Sequence, residues 1–222
     1  MKKLYLLASV CLLAAVSTAQ STFGPASIEY GTYLGETIPL RDAEVVQPST
    51  DLSKVRIIPN NLTAPGKTNQ DALPLNGDPL VALNNPERQN RETIVNFEGT
   101  DRFEAQAIPP DPTGAVGPDH YVHAVNSIVK IFDKSGNLEV GPVSLGDFLN
   151  NGSSNGDPIV LYDQLADRFF VSQFQISNDA LIIGVSTTPD PGGTYNVYEF
   201  ALDAFPDYPH YSVWPDAYYL TA

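Results

Sequence analysis

The sequence contains very little cysteine and little positive charge. Its 222 residues include one cysteine, Cys11, and 12 lysines and arginines against 26 aspartates and glutamates, which gives a net charge of −14. A chain with a single cysteine is not a disulfide-stapled scaffold, so its stability must come from a hydrophobic core. The acidic surface repels phosphate backbones and anionic membranes, and no basic cluster offsets this repulsion locally. We therefore expect no nucleic-acid partner.

The motifs of several common enzyme classes are also missing. The sequence has no Gly-x-Ser-x-Gly elbow, no His-Glu-x-x-His helix and no phosphate-binding glycine loop. His120 and His123 lie three positions apart in a predicted strand, so they point to opposite faces and cannot chelate one ion together. The dense aspartate spacing of a dedicated calcium loop is absent. No cofactor is predicted, and calcium held by scattered aspartates remains the alternative.

No apolar run is long enough to span a bilayer, but the N-terminus carries a shorter one. Two lysines precede the apolar stretch 4–16, and 17–19 is a small-x-small cleavage site. This order is typical of a secretory signal peptide. We predict a signal peptide over 1–19, cleavage after Ala19, no transmembrane segment in the mature chain, and a secreted or cell-surface location.

Residues 20–104 have a different composition. Proline, asparagine, glutamine, threonine and aspartate dominate, and neither a helical nor a strand period persists. The prolines exclude long helices. We predict an extended, low-order leader in which short strands at 55–58 and 93–97 dock onto the following domain.

Residues 105–222 carry an internal repeat. Asp119, Asp167 and Asp216 are each followed, after one variable residue, by an aromatic residue that opens a predicted strand, and they lie 48 and 49 residues apart. A period of about 20 to 50 residues indicates a repeating supersecondary unit such as a propeller blade. The predicted fold class is all-β, an incomplete β-propeller-like repeat with blades of about 48 residues.

The pattern within each unit is a meander of short strands. Turn residues at 134–137 and 163–167 predict β-hairpins. The run 180–185 is apolar on both faces, as expected for a strand between two neighbouring sheets. The third unit stops at Ala222 inside a predicted strand. Either the natural protein continues or the β units close as a smaller sandwich; we expect it to continue, so that the propeller is truncated here, because an unpaired strand edge promotes aggregation.

Several long motifs carry a resemblance. They are PPDPTGAVGPDHYV at 109–122, GDPIVLYD at 156–163, ADRFF at 166–170 and FPDYPHYSVWPDAYY at 205–219. With these motifs the second half of the chain resembles a family of large, mostly uncharacterised bacterial secreted proteins. The resemblance implies a propeller-like module at the front of a longer exported protein, often followed by adhesion or surface-sorting domains. It supplies no catalytic residues.

Aspartates at strand ends and turns are the candidates for chemistry. Repeat geometry could gather several of them around one rim: Asp111, Asp119, Asp157, Asp163, Asp167, Asp207 and Asp216. A glycosidase needs two carboxylates flanking a sugar, with aromatic platforms nearby. The candidate catalytic residues are Asp157, Asp163 and Asp216, and the candidate ligand-binding residues are Tyr162, Trp214 and Tyr218. The competing interpretation is structural, since turn aspartates cap loops and the aromatics fill the space between blades.

Two function classes remain open from the sequence. The first is a binding or adhesion module for polysaccharide or a surface glycoprotein, favoured by the export signal and by aromatics that adjoin acidic turns. The second is a carbohydrate-active hydrolase that uses two rim carboxylates. The fold does not decide between them, because propellers host both.

Overall fold

The computed structural model describes residues 28, 30–57 and 93–222. The predicted signal peptide and the stretch 58–92 of the predicted leader lie outside the described residues. Contacts group Gly31–Ala222 into one compact unit, and the architecture below is that of this unit. It consists mainly of antiparallel sheets, which confirms the all-β prediction.

Thirteen strands and two short helices make up the described chain. The strands are β1 (Thr32–Glu36), β2 (Arg56–Ile57), β3 (Ala107–Ile108), β4 (Thr113–Val116), β5 (His120–Val125), β6 (Ile128–Asp133), β7 (Leu138–Ser144), β8 (Ile159–Asp163), β9 (Arg168–Gln175), β10 (Ala180–Ser186), β11 (Tyr195–Ala201), β12 (His210–Val213) and β13 (Tyr218–Thr221). The helices are α1 (Arg102–Ala105) and α2 (Leu145–Phe148). Three single 3-10 turns occupy Leu40–Asp42, Leu52–Lys54 and Ile176–Asn178.

Two antiparallel meanders form the body of the fold. One sheet has the order β4-β5-β6-β7, and the other has the order β1-β11-β10-β9-β8, so strands β4 to β7 and β8 to β11 each pair in chain order. The hairpin β12-β13 follows as a separate sheet. The predicted hairpins at 134–137 and 163–167 are confirmed, because they join β6 to β7 and β8 to β9.

The repeated aspartates occupy matching places in these units. Asp119, Asp167 and Asp216 each lie in the turn between a first and a second strand, namely β4-β5, β8-β9 and β12-β13. This match follows the 48- and 49-residue spacing of the sequence. The regular spacing therefore indicates that the three aspartates occupy the same position, the first turn, in each of the three units.

A second repeated position precedes the first strand of each unit. Asp111, Asp157 and Tyr208 have left-handed backbone angles, with φ of 37°, 44° and 55°. A proline follows each of these residues, and strand β4, β8 or β12 begins directly after that proline. Aspartate adopts this region more readily than most residues, whereas an aromatic residue rarely does. The three strands are thus entered through the same backbone turn.

The sheets stack in chain order. The main core lies between the two large sheets and includes Val122 and Ile131 from one sheet and Phe169 and Ile182 from the other, all about 1% exposed or less. The opposite face of the five-stranded sheet is covered by the β12-β13 hairpin and the chain leading to it. There Phe170 packs against Tyr211 and Tyr218, with ring centroids 4.9 and 5.2 Å apart, and Phe174 packs against Phe205 at 4.9 Å. Strand β10 is therefore buried on both faces, as its apolar sequence predicts.

Part of the predicted leader belongs to this body. Strand β1 pairs with β11, and Leu40 is 1% exposed in the main core. Strand β2 pairs in parallel with β3, close to the short strand predicted at 55–58. The prediction of a strand at 93–97 is wrong, because that segment has no strand pairing. Instead Phe97 packs its ring on Phe132 at 4.8 Å, on the outer face of β6.

A buried ion pair fixes the segment that leads into β3. Helix α1 is capped by Asp101, whose carboxylate accepts hydrogen bonds from the backbone of Phe103 and Glu104 at 2.8 and 3.0 Å. The Glu104 carboxylate accepts two hydrogen bonds of 2.9 Å from Lys130 Nζ on β6. Lys130 is 5% exposed and also donates to the Gly99 carbonyl at 3.0 Å. Residues 97–105 thus cover the outer face of the four-stranded sheet.

Candidate functional site

The predicted rim aspartates are divided between two ends of the sheets. Antiparallel meanders place alternate loops at opposite ends, so the loops before β4, β8 and β12 lie at one end and the first turn of each unit lies at the other. We call the first the Asn126 end, with Asp111, Asn126, Asp157 and Asp207. We call the second the Tyr162 end, with Asp119, Tyr162, Asp163, Asp167, Asp216 and Tyr218.

Asn126 connects two units at its end. Its side chain is fully buried, and Nδ2 donates to the Pro109 carbonyl at 2.8 Å and to Asp111 Oδ2 at 2.6 Å. Its Oδ1 accepts a hydrogen bond of 2.8 Å from the backbone N–H of Asp157. The loops that enter β4 and β8 are therefore joined through one amide. Asn126 was not predicted as a site residue, although the repeated Asp-Pro steps at 111–112 and 157–158, which it connects, were a usable signal.

Asp157 is the carboxyl group at the Asn126 end whose pKa is raised. Its partial burial raises its pKa to about 6, and the charges of Asp111 and Asp207 contribute to the rise. A hydrogen bond from the Tyr208 backbone opposes it. A carboxyl group that keeps its proton in mildly acidic solution beside two further carboxylates can act as a proton donor. Within the described ranges, no group of three or more His, Cys, Asp and Glu side chains is placed to hold a metal ion.

The raised pKa predicts how Asp157→Asn changes stability with pH. The pKa of Asp157 in the folded protein, about 6, exceeds its ordinary value of 3.8. The contribution of Asp157 to the free energy of unfolding is therefore fully present below about pH 4 and is lost as pH rises through 6. Such a shift corresponds to about 3 kcal/mol, which we discount to about 1 to 2 kcal/mol because the side chain is only half-buried. Asp157→Asn should therefore stabilise the protein by about that amount at pH 8 and leave it unchanged at pH 4.

Urea unfolding at pH 4, 6 and 8 measures this effect. Asparagine tolerates the positive φ at this position, so the backbone adds no strain. Asp203→Asn is the matched control, because it removes the same charge from an exposed position between β11 and β12. A loss of stability at pH 8, or an equal gain at both pH extremes, would contradict the prediction.

At the Tyr162 end the carboxylates serve as structural acceptors. Asp163 accepts hydrogen bonds from the backbone of Leu165 and Ala166 at 2.9 and 3.0 Å and from the Tyr218 hydroxyl at 2.8 Å. Burial raises the pKa of Asp163, but these hydrogen bonds outweigh it and the pKa is lowered. Asp163 is thus held ionised and caps its turn, which is the structural role that turn aspartates commonly have.

The three aromatic candidates differ in how much ring they present. Tyr162 donates to Asp167 Oδ1 at 2.5 Å, and its partly buried ring packs against the core on Phe169 at 5.0 Å. Tyr218 is 38% exposed, with its hydroxyl on Asp163. Trp214 is 67% exposed and lies in the β12-β13 turn. Of the three, Trp214 presents the largest accessible ring face.

Strand β8 separates two of the three predicted catalytic aspartates. Asp157 precedes it and Asp163 ends it, and its four residue steps of about 3.4 Å span about 14 Å. Paired glycosidase carboxylates lie about 5 to 9.5 Å apart. Asp216 lies with Asp163 at the Tyr162 end, where it accepts a hydrogen bond of 3.0 Å from the Tyr219 hydroxyl. The structure therefore does not bring Asp157 into a pair with Asp163.

The outer side of the β12-β13 hairpin forms an aromatic face. Register pairs Ser212 with Tyr219, and these two side chains lie opposite the side that packs on Phe170. Tyr208 packs its ring on His210 with centroids 4.5 Å apart. We define the aromatic face by its exposed members, Tyr208, His210, Trp214 and Tyr219; the three large aromatics are 72%, 67% and 50% exposed in that order.

Comparisons with known proteins indicate no function, so a functional assignment has to be argued from the geometry described above. No protein-family model, no curated protein and no solved structure matches the chain. In the part of the chain that the structure describes, no helix has both the length and the apolar character needed to cross a membrane. The aromatic face and the Asn126 end are therefore the two places from which a function can be argued.

Proposed function

We propose that the protein is an exported, propeller-like binding module that holds polysaccharide, free or on a surface glycoprotein, on its aromatic face. The observation that carries this proposal is the exposure of Tyr208 and Tyr219 on the outer side of the β12-β13 hairpin and of Trp214 in its turn. Aromatic rings pack against the apolar C–H faces of sugars, while neighbouring polar groups bond the hydroxyls. His210, Ser212 and the carboxylate of Asp216 supply such groups beside the rings.

The stacking of the sheets supports the propeller-like part of the proposal. In a propeller, each four-stranded blade lies between two others and the first strands surround a central axis. Here the sheets follow one another in chain order, and β8 contacts both β4 and β12. The backbone N–H of Val160 on β8 donates to Thr113 Oγ1 on β4 at 3.3 Å. The charged, apolar and small-residue order of 1–19 supports export to a place where polysaccharides are neighbours.

Trp214→Ala tests the binding surface. The protein is screened against a panel of soluble polysaccharides and glycans, and its affinity for the best binder is measured by titration calorimetry. Removing the most accessible ring should weaken that affinity at least tenfold, about 1.4 kcal/mol, because stacking on the sugar face is lost. The unfolding midpoint should remain close to that of the wild type, since the side chain is exposed.

Tyr33→Ala is the control for this test. Tyr33 is also an exposed aromatic residue, 53% accessible, but it lies on β1 away from the hairpin. Its substitution should leave the affinity unchanged. Equal losses for Tyr33→Ala and Trp214→Ala, or no glycan bound at all, would reject the aromatic face as the binding surface.

The raised pKa of Asp157 favours a second candidate function, a glycoside hydrolase at the Asn126 end. Asp157 would be the general acid, and the carboxylate of Asp111 or Asp207 would be its partner. The same preparation is assayed with aryl glycosides and polysaccharide substrates between pH 4 and 8. Turnover that Asp157→Asn abolishes and Trp214→Ala preserves would assign this activity, and absence of turnover in the wild type would remove it.

A further inference from the structure

A cleft of about 480 Å³ lies where the two large sheets meet near the 3-10 turn Leu40–Asp42. Its lining residues are Arg41, His120, Ile131, Glu139, Val140, Asp190 and Gly192. The volume falls in the range of about 300 to 1,000 Å³ that is usual for small-ligand sites. This cleft was not predicted from the sequence, because its walls come from segments up to about 150 residues apart in the chain.

The first wall is a guanidinium–carboxylate pair whose two side chains are 52% and 45% exposed. Arg41 pairs with Asp190 through Nη2 and donates from Nε to the Gly192 carbonyl at 3.0 Å. Asp190 Oδ1 in turn accepts the Gly192 N–H at 2.9 Å. A Cβ at Gly192 would lie 3.1 Å from Arg41 Nη2, so glycine allows the guanidinium to rest on the loop. Three of the five N–H groups of Arg41 are left to face a ligand.

The second wall is an imidazole–carboxylate pair on the four-stranded sheet. His120 Nε2 at the start of β5 lies 3.0 Å from Glu139 Oε2 on β7. Their side chains are 24% and 43% exposed, so they are ordered by each other and still reachable. This contact leaves Glu139 Oε1 as an acceptor and His120 Nδ1 as a second polar atom. The partly buried Val140 and the core residue Ile131 complete the lining.

We propose that this cleft binds one or two units of a neutral saccharide. Besides His120, the lining carries one arginine and two carboxylates, which disfavours phosphates and uronic acids. Donors beside acceptors suit hydroxyl groups, which both donate and accept, and the partly exposed side chain of Val140 suits the C–H face of a pyranose. No large aromatic side chain lines the cleft, so it offers no stacking partner to a nucleobase. The site is separate from the aromatic face and does not rest on it.

Chemical-shift titration of the ¹⁵N-labelled protein tests the proposal directly. The probes are the neutral disaccharides cellobiose, maltose, lactose and N,N′-diacetylchitobiose, with digalacturonate as the anionic comparison. At least one neutral probe should saturate shifts at the amides of Val140 and Gly192 by about 20 mM, as a site with a Kd near 1 mM requires. Glu139→Ala should weaken this binding at least tenfold, while Glu139→Gln, which keeps an acceptor oxygen, should weaken it less.

Matched variants separate this site from the hairpin. Glu199→Ala removes a partly exposed glutamate of β11 whose side chain bonds Asn178, and it should leave the cleft titration unchanged; Trp214→Ala should also leave it unchanged. Because the titration of the wild type is itself informative, the test does not depend on every variant folding. The proposal is overturned if no neutral probe saturates these amides, if digalacturonate binds more tightly, or if Glu139→Ala has no effect.

Discussion

Glu104→Ala is expected to destabilise the protein by about 3 to 5 kcal/mol, the usual cost of leaving a buried charge without its partner. Lys130 is 5% exposed, and two of its three hydrogen bonds, both 2.9 Å long, go to the Glu104 carboxylate. Without that carboxylate the ammonium group keeps only the Gly99 carbonyl. Urea unfolding at pH 7 measures the loss as a fall in the unfolding midpoint.

Two further variants define what this result means. Glu98→Ala removes the charge of an exposed glutamate in the same segment and should change stability by less than about 0.5 kcal/mol. The double variant Lys130→Met with Glu104→Leu removes both charges and should recover most of the loss, because buried ion pairs exchange well for apolar side chains. A loss below about 1 kcal/mol for Glu104→Ala, or a double variant no better than the single one, would show that the pair is not buried as a unit.

The docking of residues 97–105 also explains the state of His123. Its imidazole lies on the outer face of β5, where Tyr121 Oη is 3.1 Å from Nδ1 and a Cβ at Gly99 would lie 3.2 Å from Nε2. Burial, and then the charge of Lys130, lower the pKa of His123. This histidine is therefore a neutral part of the covered face. His120 and His123 contact different partners, Glu139 and Tyr121.

Local patterns in the sequence were sufficient to predict the meanders. The turn residues at 134–137 and 163–167 and the apolar run 180–185 depend on chain neighbours, and each produces the expected hairpin or strand. The spacing of Asp119, Asp167 and Asp216 also depends only on order along the chain. It correctly placed three equivalent turns because consecutive antiparallel strands repeat the same path.

Features that depend on distant pairings were not predicted. Strand β1 joins β11 across about 160 residues, shown by the hydrogen bond from Tyr33 Oη to Asn196 Oδ1, and the leader composition gave no sign of it. A single aspartate rim was expected, because the sequence does not reveal that Asp157 and Asp163 lie at opposite ends of strand β8 until the bounds of that strand are known. Asn126 was missed because its importance comes from two loops that the stacking of sheets brings together.

Asn126→Asp is the second variant with a large expected effect. Asn126 is fully buried, and its Nδ2 donates to Asp111 and to the Pro109 carbonyl. An ionised carboxylate at this position donates nothing, and it adds a negative charge beside Asp111 and Asp157. Each unsatisfied buried group costs about 1 to 3 kcal/mol, so we expect a loss of about 4 kcal/mol or more at pH 8.

The pH dependence of this variant distinguishes charge from lost hydrogen bonding. Near pH 4 the introduced carboxyl group should be protonated, because burial and neighbouring carboxylates raise its pKa, and its O–H can again donate one hydrogen bond. Asn126→Asp should therefore regain part of its stability at pH 4, whereas Asn126→Ala should be destabilised at both pH values. Asn150→Asp, at an exposed left-handed position, is the control for adding one charge. If Asn126→Asp is tolerated at pH 8 like this control, the amide does not join the two loops, and the Asn126 end loses its structural basis as a site.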